Sequence, residues 1–246
     1  MTDFSNHPGS TPHQAGPARP AWIRTLLVVG LGLFSGAGCT EDPGAGTDGG
    51  RTLVAVGIDR SGSIRLRDEA VQRVSELIES LPSGRVTVRW ISAASYRAEE
   101  TILDVELSTP TACTNPYAPR CRGERTQRLR IDRARRDSAL AVLRNATAGT
   151  ARATDIVGFL AAADDWLGAA GPADRVVVAL ATDLEDTVGR RVDGLDLRHV
   201  QTILVWQQAD DDPGRAYRRR SWFDELVQAA GAKAPRYAPL TMSMTP

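Results

Sequence analysis

From Arg51 onward, the chain alternates short apolar runs with stretches in which apolar residues recur every three or four positions. The apolar runs occupy residues 51–58, 86–91, 101–107, 175–181 and 200–206. Continuous apolar runs of this kind are typical of strands buried on both faces of a parallel sheet. Residues 101–107 alternate clearly, with Asp104 and Glu106 between apolar side chains, and a short link joins them to the preceding run. We therefore expect this third strand to lie antiparallel at one edge of the sheet.

Between the strands, the spacing of apolar residues predicts amphipathic helices. They occupy residues 64–81, about 124–145 and about 155–167, and a fourth helix begins at Pro213 with Asp212 as its N-cap. A last short strand is expected at 236–240. The alternation of strands and helices predicts an α/β fold with a doubly wound, mostly parallel sheet covered by helices on both faces. We expect the folded domain to span residues 51–246.

The first fifty residues lack the pattern of a folded domain. After two arginines, an apolar run of about ten residues is too short to span a bilayer but fits a secretory signal. The segment Phe-Ser-Gly-Ala-Gly-Cys at 34–39 resembles the lipobox of bacterial lipoproteins, which implies a lipid on Cys39, although Gly36 stands where a larger aliphatic residue is usual. Ordinary cleavage after a small residue is the alternative. We expect residues 1–38 to be a signal peptide and residues 39–50 a flexible tether to the cell envelope.

The chain has three cysteines, an odd number for an exported protein unless one of them is an anchor. Cys113 and Cys121 flank a proline-rich segment that we expect to be a loop. A disulfide between them would close this short loop and stabilise it. A metal-ligand pair is the alternative, but no further soft ligand lies near them in the sequence. We therefore predict the disulfide.

Basic and acidic residues are equal in number, with 30 of each, so no net charge favours nucleic acid or a membrane surface as the partner. An arginine-rich stretch at 120–136 contains acidic residues and no aromatic ones, and a shorter run lies at 218–220. We interpret both as solvated helix surfaces. Lys233 is the only lysine, and His199 is the only histidine after the leader. The residues that hydrolytic or Schiff-base catalysis needs are therefore nearly absent.

Oxygen-bearing side chains follow the predicted strands at two places and precede a predicted helix at a third. Asp59, Ser61 and Ser63 come after the first strand, Thr154 precedes the third helix, and Asp183 follows the strand at 175–181. The carboxyl ends of parallel strands meet at one edge of a sheet, where doubly wound folds bind their ligands. Hard oxygen donors suit a small divalent cation such as Mg²⁺. A set made mainly of neutral hydroxyls leaves positive charge on the cation for an incoming carboxylate.

In their order and context, these five residues resemble the metal-ion-dependent adhesion site of a von Willebrand factor type A (VWA) domain. The resemblance covers residues 51–240 approximately, nearly all of the mature chain. It implies that Ser61, Ser63 and Thr154 contact the cation through their hydroxyls, whereas Asp59 and Asp183 act mainly through water. It also implies that a partner protein supplies an Asp or Glu to the remaining position. Mg²⁺ is the expected cofactor, with Mn²⁺ or Ca²⁺ as alternatives.

A simpler interpretation exists for each member of the set. Asp59, Ser61, Ser63 and Thr154 could cap the helices that follow them. Other residues also compete for the same roles: Thr150 for that of Thr154, and Glu185 and Asp186 for that of Asp183.

Two neighbours of the set are interpreted differently. Leu184 stands where many VWA domains have glycine, which bears on the shape of that loop. Asp155 is expected to stabilise a helix N-terminus rather than to bind metal.

The leading hypothesis is a non-catalytic, divalent-cation-dependent protein-binding module at the cell envelope, with no nucleic-acid partner. A metal-free structural lipoprotein of the same fold is one alternative. A magnesium-dependent phosphoryl hydrolase with Asp59 as nucleophile is another. It is disfavoured because Ser61 stands where such phosphatases need a second aspartate. A serine hydrolase would need a histidine, and His199 is expected at the opposite edge of the sheet.

Overall fold

The computed structural model describes residues 50–108, 118–146, 149–190 and 194–241. All of them belong to the compact unit Asp42–Pro246. The predicted signal peptide at 1–38, the lipidation site Cys39 and one of the two paired cysteines, Cys113, lie outside the described residues. Within the described ranges, no helix combines the length and the apolar character that crossing a membrane requires.

The described residues form a six-stranded sheet flanked by four α-helices. The strands are β1 (Thr52–Asp59), β2 (Gly84–Ile91), β3 (Thr101–Leu107), β4 (Arg175–Thr182), β5 (Thr202–Gln208) and β6 (Arg236–Leu240). The helices are α1 (Arg67–Ser80), α2 (Pro119–Asn145), α3 (Ile156–Ala169) and α4 (Pro213–Ala229), with a short 3-10 turn at Ala98–Glu100. The sheet order is β3-β2-β1-β4-β5-β6. All pairings are parallel except that of β2 with β3, which confirms the predicted antiparallel edge strand.

Two hydrophobic cores lie on the two faces of the sheet, and alternate residues of β1 belong to each. Leu53 and Ala55 pack with α3 and α4, whereas Val54, Val56 and Ile58 pack with α1 and α2. All five side chains are buried. A strand covered on both faces has no polar side to show, which explains why its sequence is a continuous apolar run. The two-sided core fixes β1 at the centre of the sheet, with its carboxyl end at the middle of one edge.

Three predicted boundaries are wrong, for local reasons. Helix α1 begins at Arg67 rather than at Ile64, because the residues between them belong to the turn after β1. Helix α2 begins at Pro119, so Pro119–Cys121 is helical rather than part of a loop; a proline at the first helical position leaves no N–H unsatisfied. Strand β5 begins at Thr202 rather than at 200, since Val200 is buried in a turn that its N–H closes on Leu197.

Candidate functional site

The sheet order reverses direction at β1, which lies between β2 and β4. In doubly wound folds, the crevice outside the carboxyl ends of the strands at this reversal is the place where ligands bind. Asp59 is the last residue of β1, and Asp183 directly follows β4. The topology therefore brings two of the predicted carboxylates to the same crevice. Both side chains are buried.

Ser61 and Ser63 form a compact pair of hydroxyls in the turn between β1 and α1, which we call the serine turn (residues 59–63). Their Oγ atoms are 2.8 Å apart, and Asp59 Oδ1 shapes the turn by accepting a hydrogen bond of 2.8 Å from the Ser61 N–H. Two ligands at right angles on Mg²⁺, each about 2.1 Å from the ion, are about 3 Å apart. The hydroxyl pair therefore fits adjacent positions of an octahedral site. Because α1 begins beyond them, neither serine caps it, so that alternative is wrong.

Asp59 is fully buried behind this hydroxyl pair. Its Oδ2 accepts a hydrogen bond of 2.9 Å from the Thr182 hydroxyl, which in turn accepts one of 3.0 Å from the Leu184 N–H. Burial raises the pKa of Asp59 to about 6, even though the hydrogen bonds from Ser61 and Thr182 lower it. The nearby charge of Asp183 raises this pKa further. A buried carboxylate with so high a pKa favours a nearby positive charge.

Thr154 lies in a loop that is attached to the serine turn. Ala151 pairs with Ser61 in a short parallel bridge, and its N–H donates to the Arg60 carbonyl over 2.9 Å. Past Thr154, the Asp155 N–H donates to the carbonyl of Ser92, directly after β2, over 2.9 Å. The loop is thus fixed on both sides of Thr154, which is buried. The competing Thr150 is exposed, although its methyl group approaches Gly62.

The N-terminus of α3 is stabilised by carboxylates other than the predicted site residues. Asp155 is the N-cap: its Oδ1 accepts the Gly158 N–H over 2.7 Å, and its Oδ2 pairs with Arg190 at 2.6 Å. Asp186 Oδ2 accepts the N–H groups of the first two helical residues. Thr154 is therefore not the cap of this helix, and the expectation for Asp155 is confirmed. Asp186, which competed with Asp183, is occupied by backbone N–H groups.

Opposite the serine turn, three carboxylates surround one guanidinium; we call this cluster of Asp183, Glu185, Asp210 and Arg219 the acid flank. Arg219 Nη1 is 3.4 Å from Asp183 Oδ2 and 3.2 Å from Asp210 Oδ2, and Nη2 contacts Glu185. The Arg219 side chain is only 14% exposed, so the interpretation of residues 218–220 as a plain helix surface is wrong for it. A signal existed in the sequence: Arg219 precedes the core residues Phe223 and Leu226 at helical spacing and shares their face.

Leu184 joins the acid flank to the core in an unusual backbone conformation. Its φ of 63° places it in the left-handed region of backbone conformation, which is unfavourable for residues other than glycine. The side chain is nonetheless buried in the core on the α3 side of the sheet. Burial of the leucine opposes the backbone strain, which explains how this loop keeps its turn without the glycine common in VWA domains.

A cleft of about 330 Å³ joins the two sides of the site, with Ser63 on one wall and Asp183 and Arg219 on the other. A second cleft of about 310 Å³ lies on the outer side of the turn and is lined by Ser61 and Thr150. The structure thus brings Asp59, Ser61 and Ser63 together by hydrogen bonds, and it places Asp183 across a shared cleft. Thr154 is linked to them through its loop.

The remaining predictions concern residues away from this crevice. Cys121 lies in the first turn of α2, and its predicted partner Cys113 lies outside the described residues, so the disulfide stays a prediction. His199 precedes β5 and lies 3.7 Å from Asp164, at the amino end of the sheet and therefore far from the crevice. Among the described residues, no three His, Cys, Asp or Glu side chains are grouped as a metal site.

No protein-family model matches the chain, and no curated protein matches it. Solved structures resemble it at low identity. Proximal thread matrix protein 1 from the mussel byssus is 14% identical, with 69% of this chain and 41% of that chain covered and a TM-score of 0.44. An aerotolerance-related membrane protein from Bacteroides fragilis is 12% identical, with 78% of this chain and 92% of that chain covered and a TM-score of 0.42.

A structure of three N-terminal domains of the type V pili tip protein Mfa5 from Porphyromonas gingivalis is 13% identical, with 56% of this chain and 20% of that chain covered and a TM-score of 0.33. The chain thus spans less than half of the mussel and pilus chains. Similarities this distant say nothing about function. The mostly parallel six-stranded sheet, its antiparallel edge strand and its flanking helices are consistent with the VWA-like α/β fold that the sequence predicts.

Proposed function

We propose that the chain is a non-catalytic binding module whose recognition of a partner protein depends on a divalent cation, most simply Mg²⁺. The observation that carries the proposal is the pair of serine hydroxyls 2.8 Å apart, in front of a buried aspartate and at the reversal point of the sheet. Ser61, Ser63 and Thr154 would hold the cation directly. Asp59 and Asp183 would supply negative charge through water.

The donor set explains why the cation would recruit a partner instead of activating a reaction. Neutral hydroxyls do not compensate the charge of the cation, and a carboxylate from a partner then binds it strongly. The bound cation supplies this attraction. The chain's own side chains orient the cation. Among the described residues that line the two clefts, there is no histidine or lysine to act as a general base. We therefore propose a role in recognition and not in catalysis.

Magnesium-dependent unfolding tests the proposal. The protein is treated with chelator and then heated with increasing Mg²⁺. Binding to the folded state alone adds about 2.7 kcal/mol of stability at a hundredfold excess over the dissociation constant. The double variant Ser61→Ala/Ser63→Ala should lose this gain. Ser80→Ala, on the exposed surface of α1, is the matched control and should keep it. A wild-type protein that is folded but indifferent to Mg²⁺ would contradict the proposal.

We further propose that the module is held at the cell envelope by a lipid on Cys39. The sequence of residues 34–39 motivates this, and residues 40–50 would act as the tether. Metabolic labelling with an alkyne-tagged fatty acid tests it: the label should be present on the wild type and absent from Cys39→Ser. A partner with an exposed Asp or Glu should co-purify from envelope extract with Mg²⁺ and be released by chelator. It should not bind Asp59→Ala.

A further inference from the structure

The guanidinium of Arg219 is in direct contact with Asp183, a proposed site residue. The guanidinium is held by Asp183, Asp210 and Glu185, and Nη1 also donates to the Asp183 backbone carbonyl over 3.4 Å. Its neighbours Arg218 and Arg220 are exposed. Arg219 is therefore positioned by several acceptors at once, and its charge lies on the wall of the cleft that faces Ser63.

The two carboxylate oxygens of Asp183 have different partners. Oδ1 accepts the Glu185 N–H over 3.0 Å, a bond that shapes the loop after β4. Oδ2 is 3.4 Å from Arg219 Nη1, a longer contact than the 3.2 Å between Nη1 and Asp210. Oδ2 is thus the oxygen that remains for a water molecule on the cation. It is also the oxygen that the guanidinium approaches.

We infer that Arg219 is an internal cation that competes with the divalent cation for Oδ2 of Asp183, and thereby lowers the metal affinity of the site. This inference rests on the proposed function. Two positive charges that share one carboxylate repel each other, and in a largely buried crevice the repulsion is only weakly screened. Asp210 and Glu185 retain the guanidinium when Asp183 turns to the metal, so Arg219 need not leave the site.

Magnesium titration calorimetry on the chelator-treated protein tests this directly. Arg219→Gln removes the charge and should bind Mg²⁺ about tenfold more tightly than wild type. Arg219→Lys keeps the charge and should stay close to wild type. Arg218→Gln, one residue away and exposed, is the matched control and should change nothing. Without metal, Arg219→Gln should unfold at a lower temperature, since three carboxylates lose their shared partner.

Asp210→Asn should change the Mg²⁺ affinity in the opposite direction, and it replaces Arg219→Gln as the test if that variant does not fold. Loss of the Asp210 charge leaves Arg219 more dependent on Asp183, so Mg²⁺ should bind several times more weakly. Equal or weaker binding by Arg219→Gln would overturn the inference, and so would tighter binding by Asp210→Asn. If neither wild type nor any variant binds Mg²⁺, the proposed function itself fails. Binding by wild type, with tighter binding by Arg219→Gln, would support both.

Discussion

The two sides of the crevice are built from different chemistry. The serine turn has two neutral hydroxyls, which bond to each other, in front of one buried aspartate. The acid flank has three carboxylates, all of which contact Arg219. Negative charge on the flank is therefore already matched, in part, by a cation of the protein. On the proposed function, the divalent cation would lie at the serine turn, and the acid flank would adjust how tightly the cation binds.

Removal of the Thr154 hydroxyl, in the loop beside the serine turn, should have the largest effect on Mg²⁺ affinity. Thr154→Val deletes the hydroxyl and keeps the shape of a buried side chain. We expect Mg²⁺ affinity, measured by calorimetry, to fall at least about a hundredfold, since Mg²⁺ tolerates little loss of its octahedral ligand set. Thr150→Val is the matched control and should bind as wild type does. The reverse outcome would transfer the ligand role to Thr150.

Leu184 offers a test of how the acid flank is held to the core. Leu184→Ala should lose about 2–5 kcal/mol of unfolding free energy, because a buried leucine is truncated while the left-handed backbone remains. Leu184→Gly should be more stable than Leu184→Ala by about 1 kcal/mol, because glycine tolerates this φ. Urea denaturation measures both values. If the glycine variant is less stable than the alanine variant, the backbone at residue 184 is not strained in the way described here.

The pH dependence of stability tests the environment of Asp59. Its pKa is about 6 in the folded protein, against 3.8 for a free aspartate. The folded state therefore holds this proton more tightly than the unfolded state, and the contribution of Asp59 to stability falls as pH rises from about 4 to about 6. The difference corresponds to roughly 3 kcal/mol for a group this deeply buried.

Asp59→Asn, which has no such proton, isolates this contribution. In chelator, the stability of wild type relative to Asp59→Asn should fall across that pH range, as measured by urea denaturation at each pH. Mg²⁺ should reduce the fall in wild type, because a cation stabilises the carboxylate. Identical pH profiles for the two proteins would show that Asp59 is not in the environment described here.

The strands, the helices and the placement of Asp59, Ser61, Ser63 and Asp183 at or just beyond the carboxyl ends of β1 and β4 follow from local pattern. Apolar runs predicted β1 and β4, and the residues at their carboxyl ends predicted the crevice, because parallel strands align those ends. Whether Ser61 and Ser63 cap α1 could be decided only once the first residue of α1 was known. The first residue of a helix is set by turn geometry, which the spacing of apolar residues does not reveal.

The acid flank was harder to predict, because its partners are distant in sequence. Arg219 meets Asp183 and Glu185 only after α4 has packed against the sheet. A basic residue on a helix is usually solvated, and only its position in line with the apolar face of α4 indicated otherwise. Thr182, which orients Asp59, ends an apolar strand and carries no signal of its own in the sequence.

The most direct test of the central claim is anomalous X-ray scattering from crystals of the protein soaked in Mn²⁺, which replaces Mg²⁺ at oxygen sites. One strong peak is expected in the crevice, with the Oγ atoms of Ser61 and Ser63 both about 2.2 Å from it. The peak should disappear in Ser61→Ala/Ser63→Ala crystals. A peak bound to Asp183, Glu185 or Asp210 without the two serines, or no peak in the crevice, would contradict the proposed metal site.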